Sequence, residues 1–159
     1  MEELENNSNE PVSEWVTFYL EEEKYGVNVM MVREVLKNTE IAPVPGSPYF
    51  VLGIINLRGN VVTVVDTRTR FGLTPKEEDE ASRIIVVERG DHVIGMMVDS
   101  VAEVMTLRAS EIEFAPNVGN DESAKYIEGV SNQEDELLIL VSLEKLFTEE
   151  ELIRGGNGH

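Results

Sequence analysis

The 159-residue chain has no cysteine and only two histidines. The first absence removes disulfides, thiolate nucleophiles and cysteine metal sites, and suits a reducing compartment. The second leaves little for general-base or metal chemistry. His92 sits at a turn–strand junction and reads as an ordinary exposed side chain, and His159 is the last residue. Basic residues are scarce too, 13 against 31 acidic ones, a formal charge of −18. Without clustered Lys and Arg, a nucleic-acid backbone is excluded as a partner. Long apolar runs are also missing. The longest, Leu137 to Val141, falls far short of the ~20 residues that span a bilayer. The N-terminus, Met1-Glu2-Glu3-Leu4-Glu5, lacks the basic start and apolar stretch of a secretory signal. Gly155-Gly156-Asn157-Gly158 has no strand before it or helix after it, so it is no phosphate loop. The acidic runs Glu21–Glu23, Glu77–Glu80 and Glu149–Glu151 are contiguous, whereas calcium loops alternate their ligands around a glycine.

What the chain does have is short β-favouring segments. Residues 1–14 read as an acidic flexible tail. Trp15 to Leu20 and Tyr25 to Val29 are strands around a polar turn. Met30 to Lys37 shifts to helical spacing, with Val29, Val32 and Leu36 on one face and Asn28 as N-cap, which predicts a short helix carrying Glu34. Tyr49 to Leu57 and Val61 to Val65 form a hairpin around Arg58-Gly59-Asn60, residues that tolerate positive φ. Further strands cover Arg83–Glu88, His92–Val98, Val101–Leu107, Ile127–Asn132 and Leu137–Val141. Asp66 and Ser142 are placed to cap short helices, and 149–159 read as a C-terminal tail. Turn signals about every ten residues indicate small barrels or sandwiches.

The chain also repeats itself. An offset of 69 residues aligns Gly26, Val29, Val32, Glu34 and Val35 with Gly95, Val98, Val101, Glu103 and Val104. An offset of 76 aligns Gly53, Asn56, Val65 and Phe71 with Gly129, Asn132, Val141 and Phe147. This predicts a mainly β protein of two similar five-stranded units with short connecting helices, at roughly 15–73 and 83–148, with strand exchange possible at the ends. Neither unit is large enough to be comfortable alone, so they should share a contact surface. The acidity falls mostly in tails and loops, around barrel bodies near neutrality. Arg58 is the only basic residue between Lys37 and Arg68 and sits at a hairpin tip, with Glu34 a candidate ion-pair partner. Val32 and Val101 read first as core, with groove lining as the functional alternative. Gly53 and Gly95 read equally as packing constraints or as points of close approach for a partner.

Phe18-Tyr19-Leu20, Tyr25-Gly26-Val27, Val32-Arg33-Glu34-Val35, Val51 to Gly59 with its Asn-Leu-Arg-Gly tip, and Val62 to Arg68 resemble the CheW-like family of bacterial chemotaxis coupling proteins. Gly95 to Val101 and Leu137 to Leu146 match as well, so the resemblance runs over about residues 14–150. The chain departs from the family in its charged first turn, Glu21–Glu23, and its acidic N-terminal stretch. The resemblance implies two packed SH3-like five-stranded β-barrels, no enzymatic activity and no cofactor. It implies a cytoplasmic adaptor, recruited to membrane-associated receptor arrays, that couples helical-hairpin tips of chemoreceptors to the regulatory domain of the histidine kinase CheA. The receptor-facing positions would be Val32, Glu34, Gly53, Arg58, Gly95, Val101 and Val104. The kinase would meet a surface near Arg83, Ile84, Ile85, Pro116 and Asn117. The reading from another class is a small acidic β-barrel ligand binder or enzyme, which needs a deep polar cleft with perturbed carboxylates.

Overall fold

Valine- and isoleucine-rich runs broken by polar turns set eleven strands among the described residues, because β-branched side chains fit a pleated, half-buried surface. They are β1 Val12–Leu20, β2 Glu23–Asn28, β3 Val32–Leu36, β4 Val51–Leu57, β5 Asn60–Asp66, β6 Arg83–Arg89, β7 His92–Val98, β8 Ser100–Arg108, β9 Glu113–Phe114, β10 Ile127–Asn132 and β11 Leu137–Val141. This computed structural model describes residues 10–37, 39–114 and 124–147. The expected C-terminal tail and residues 1–9 lie outside the described residues, while residues 12–14, expected in the tail, belong to β1. Single-turn helices Thr67–Arg70 and Leu143–Leu146 follow β5 and β11. Ser142 caps the second by accepting from the Lys145 amide, whereas Asp66 makes no such bond and instead accepts from the Thr69 hydroxyl at 2.7 Å.

One expected helix is a strand. Only Val29–Met31 forms a helical turn, a 3₁₀ turn that Asn28 caps by accepting from the Met30 amide at 2.9 Å. The residues after it, Val32–Leu36, pair antiparallel with β6. Val32 and Val35 favour the extended form, and the β6 ladder outweighs a short amphipathic pattern that fits either period.

The strands make a six-stranded sheet, β8-β1-β2-β11-β10-β9, and a five-stranded sheet, β3-β6-β7-β5-β4. The repeat is exact in register. Val16 pairs Val104 and Phe18 pairs Val101 across β1 and β8, and their equivalents at an offset of 69, Ile85 with Val35 and Val87 with Val32, pair across β6 and β3. The parallel pairs Leu140–Gly26 and Val64–Gly95 correspond in the same way. So do the hydrogen bonds from the Asp66 amide to the Phe50 carbonyl (2.8 Å) and from the Ser142 amide to the Tyr126 carbonyl (2.9 Å). The sixth strand, β9, is two residues long, and its counterpart is the isolated bridge between Ala42 and Ile54.

The repeats exchange hairpins. β1–β2 of the first repeat completes the sheet of β8–β11, and β6–β7 of the second completes the sheet of β3–β5. The division expected near residues 73–83 falls between β5 and β6, which lie in one sheet. Connection length explains the exchange. Asp99 alone separates β7 from β8, and one 3₁₀ turn separates β2 from β3. A single residue cannot make even the two-residue turn of a tight hairpin, so the chain crosses into the other sheet.

Burial follows this plan. Ile55, Val62, Val64, Ile84 and Val86 fill the five-stranded barrel, and Trp15, Leu107, Leu138 and Leu140 fill the six-stranded one. A third, larger cluster contains Phe18, Tyr25, Phe71, Tyr126 and Phe147 and draws on both sheets, forming the shared surface. Its rings run in series: Phe18 on Tyr25 at 5.6 Å, Tyr25 on Phe71 at 5.2 Å, Phe71 on Tyr126 at 5.7 Å.

An ion pair ties the barrels at one side. Arg68, after β5, donates from Nε and Nη2 to the two Asp99 oxygens, both at 2.8 Å. The Glu21 amide, in the β1–β2 turn, also donates to Asp99 at 2.8 Å. Burial pushes the Asp99 carboxyl up, but the Arg68 and Glu21 bonds outweigh it, so the net direction is down. A carboxylate with a depressed folded-state pKa adds stability above its unfolded pKa and loses it as pH falls through the folded one. Asp99→Asn should therefore cost about 2 kcal/mol at pH 7. Urea titrations at several pH values should show that gap closing below about pH 4. A gap independent of pH would assign the loss to shape rather than charge.

The charge is unevenly shared. Residues 10–31, 99–114 and 124–147, which build the six-stranded barrel and its links, carry 14 acidic and 4 basic side chains. Residues 32–98 carry nine acidic and eight basic ones. The acidity was expected mostly in tails and loops, and the strand exchange gathers acidic turns from both ends of the chain onto one barrel.

Candidate docking site

The site begins at the tip of the β4–β5 hairpin. Arg58 and Gly59 both take positive φ, 52° and 87°, as a two-residue type I′ connection requires. The Asn56 side chain fixes the tip by accepting from the Gly59 amide at 2.9 Å. Glu34 reaches this tip from β3. β3 and β4 are the two edges of the five-stranded sheet, and the Ala42–Ile54 bridge closes the barrel along β4.

The expected pair forms. Arg58 Nη1 lies 3.4 Å from Glu34 Oε1, and Nη2 donates to Oε2. The Glu34 side chain is 25% exposed and that of Arg58 67%. These bonds push the guanidinium pKa further up, so Arg58 presents a fixed positive charge. A cleft of about 410 Å³ lies beside the tip, and Arg33, Arg58, Asn60, Val61, Asp91 and His92 line part of it.

The apolar candidates divide by symmetry. Val32 and Val101 are equivalent and half-buried, each packed against the shared core. Val104 is 53% exposed on β8, and its equivalent Val35 on β3 is 40% exposed. Val35 was not singled out from the sequence, although the offset of 69 that matches it to Val104 carried the signal. Met30, 85% exposed on the 3₁₀ turn, was missed because a helix was expected there.

Gly53 and Gly95 are buried and tightly packed from within. A Cβ on Gly53 would lie 2.3 Å from the Ala42 carbonyl oxygen, and one on Gly95 2.8 Å from Ile84 Cγ2.

The expected kinase-facing segment needs correction. Ile84 and Ile85 are core residues, and β6 is paired on both sides by β3 and β7, so neither their side chains nor a strand edge is available. Only Arg83 is partly exposed, donating to the carbonyls of Glu80 (2.8 Å) and Ser82 (2.7 Å). Those positions were carried over from the family resemblance, and periodicity does not reveal which strands are paired on both edges. Pro116 and Asn117 lie outside the described residues. Among the described residues, no three His, Cys, Asp or Glu gather to hold a metal ion, and no helix is long and apolar enough to cross a membrane.

Comparison with known proteins places this geometry. A family model described as the CheW-like domain matches residues 14–151. The chemotaxis protein CheW of Rhizobium meliloti is 34% identical over 138 residues, covering 87% of this chain and 89% of that protein. CheW of Klebsiella aerogenes is 33% identical over 139 residues, covering 87% and 84%. The crystal structure of the scaffolding protein TtCheW from Thermoanaerobacter tengcongensis superposes with a TM-score of 0.81 at 35% identity, over 89% of this chain and 96% of that one.

Proposed function

The chain belongs to the CheW-like domain family and is a chemotaxis adaptor built on two SH3-like β-barrels, and we propose that it couples chemoreceptors to the histidine kinase CheA without catalysing a reaction. The receptor's helical hairpin tip docks along the junction of the barrels. It takes up the exposed or half-exposed Val32, Val101 and Val104 with Val35 beside them, and Arg58 with Glu34 serves as its polar anchor. Gly53 and Gly95 hold the backbone beneath. The kinase regulatory domain meets other strand edges and loops. The adaptor works in the cytoplasm and is recruited to receptor arrays, where weak repeated contacts act together.

The observation that carries this reading is the Glu34–Arg58 pair, held at a fixed tip with exposed Val61 lining the same cleft and exposed Val35 next to Glu34 in β3. A preset, exposed guanidinium next to apolar surface is the usual anatomy of a protein-docking anchor. Arg58→Ala should leave circular dichroism unchanged, since the side chain is mostly in solvent. It should weaken capture of receptor cytoplasmic fragments about tenfold, the effect of losing one arginine hot spot. Loss of the folded signal would make Arg58 structural and remove the reading. A double-mutant cycle with Glu34→Gln should give non-zero coupling in receptor binding. Additive effects would mean that the two side chains act separately.

A further inference from the structure

Residues that touch their own repeat equivalents lie where the two repeats meet, and among the described residues the charged side chain of Arg70 does so. Arg70 ends the helical turn after β5 and is only 5% exposed. Its guanidinium carbon stands 4.4 Å from the Phe50 ring centre and 5.1 Å from that of Tyr126. Its Nε donates to the Leu146 carbonyl at 3.0 Å. The offset of 76 that maps β4–β5 onto β10–β11 carries Phe50 onto Tyr126 and Arg70 onto Leu146. One guanidinium thus joins two equivalent pairs, each with one member in each repeat. A second arginine at the Leu146 position would bring like charges together, and leucine there avoids this.

Apart from the Arg68–Asp99 pair at one side, the interface is hydrophobic cluster, which favours contact but is non-directional. A guanidinium is directional: it is planar, stacks on ring faces and donates along fixed N–H vectors. We propose that Arg70 is a positioning residue that fixes the angle between the two barrels, and through it the shape of the junction into which a partner helix docks. The second half rests on the docking reading above, and the first half does not. Substituting Arg70 loosens the angle while each barrel keeps its own core.

The absence of native cysteine makes the test direct. Asn60→Cys and Asp135→Cys place one spin label on each hairpin tip, β4–β5 and β10–β11, of the full chain. Electron–electron dipolar spectroscopy then reads the distance distribution between the barrels. The parent distribution should be narrow. Arg70→Lys keeps the charge but loses the planar stack and the Nε donor, and should broaden it about twofold with circular dichroism retained. Phe50→Leu and Tyr126→Leu each remove one ring face and should broaden it in the same sense. Parent-like widths in all three variants would overturn the proposal. So would unfolding of all three, because Arg70 would then hold the core and not the angle. If Arg70→Lys alone unfolds, the two ring variants decide by the same criterion. Titration with a receptor cytoplasmic fragment should show affinity falling about tenfold in Arg70→Lys. Broadened distances with unchanged affinity would refute the docking consequence alone. If the parent binds no receptor fragment, the docking reading fails while the distances still judge Arg70.

Discussion

Phe71→Ala should destabilise the whole chain by about 4 kcal/mol, in one transition rather than two. Phe71 is fully buried, sits edge-on to Tyr25 at 5.2 Å and lies against Tyr126 at 5.7 Å. Truncation removes the ring's transfer free energy, leaves a cavity and breaks two aromatic contacts worth roughly 0.5–1.5 kcal/mol each. Phe71 follows β5 of the five-stranded barrel, whereas Tyr25 and Tyr126 belong to segments of the six-stranded one. The damage is therefore shared. Trp15, the only tryptophan, lies in the separate core of the six-stranded barrel and reports on that barrel by fluorescence. Its urea midpoint should fall together with the far-ultraviolet circular dichroism midpoint. A Trp15 transition that stays in place while part of the dichroism is lost would show that the barrels unfold separately. Phe147, the equivalent residue and also buried, should give a similar loss when replaced by alanine.

That the two phenylalanines correspond was legible in the sequence, because a repeat with ordered offsets leaves identities at positions where packing demands them. The hairpins were legible too, since turn residues with positive φ are chemically marked. The Glu34–Arg58 pair was readable as a scarcity, one cation at a tip in an acidic chain. Glu34 reaches Arg58 from a strand rather than from the expected helix, and the pair survives that error because the barrel closure brings β3 to the tip. Strand exchange was not fixed by periodicity. Periodicity states which face of a strand is buried, not which edge it pairs with. The signal lay in connection length, the single residue Asp99 between β7 and β8, which forbids a hairpin there. The same limit hid the burial of Ile84 and Ile85 and the uneven charge of the barrels, both of which depend on which strands become neighbours.

Gly53→Ala should cost roughly 3–4 kcal/mol, clearly more than Gly129→Ala at roughly 1–2, although the two glycines are equivalent in the repeat. At Gly53, φ is 153°, and an added Cβ would lie 2.3 Å from the Ala42 oxygen, 2.7 Å from its carbonyl carbon and 2.9 Å from Ile41 Cγ2. Two of those atoms are backbone and cannot swing away. The same Ala42 exchanges both of its bridge hydrogen bonds with Ile54, each at 2.9 Å. Making room for a methyl group means losing those two bonds, about 1 kcal/mol each, as well as holding an alanine in a glycine region of φ/ψ at about 1–3 kcal/mol. At Gly129 the nearest backbone atom, the Glu113 oxygen, is 2.8 Å away and the next contact, Ile112 Cγ2 at 3.1 Å, is a side chain. The shift required there is smaller and φ adds no penalty. Because the Ala42–Ile54 bridge closes the barrel that brings Glu34 to Arg58, Gly53→Ala should also weaken receptor capture in proportion to the folded fraction it loses. Urea midpoints for the two variants, measured beside receptor capture per folded molecule, separate the roles open to Gly53. If Gly53→Ala is as stable as the parent yet binds poorly, the glycine serves the partner's approach. If it is destabilised and the folded remainder binds normally, the glycine serves the fold.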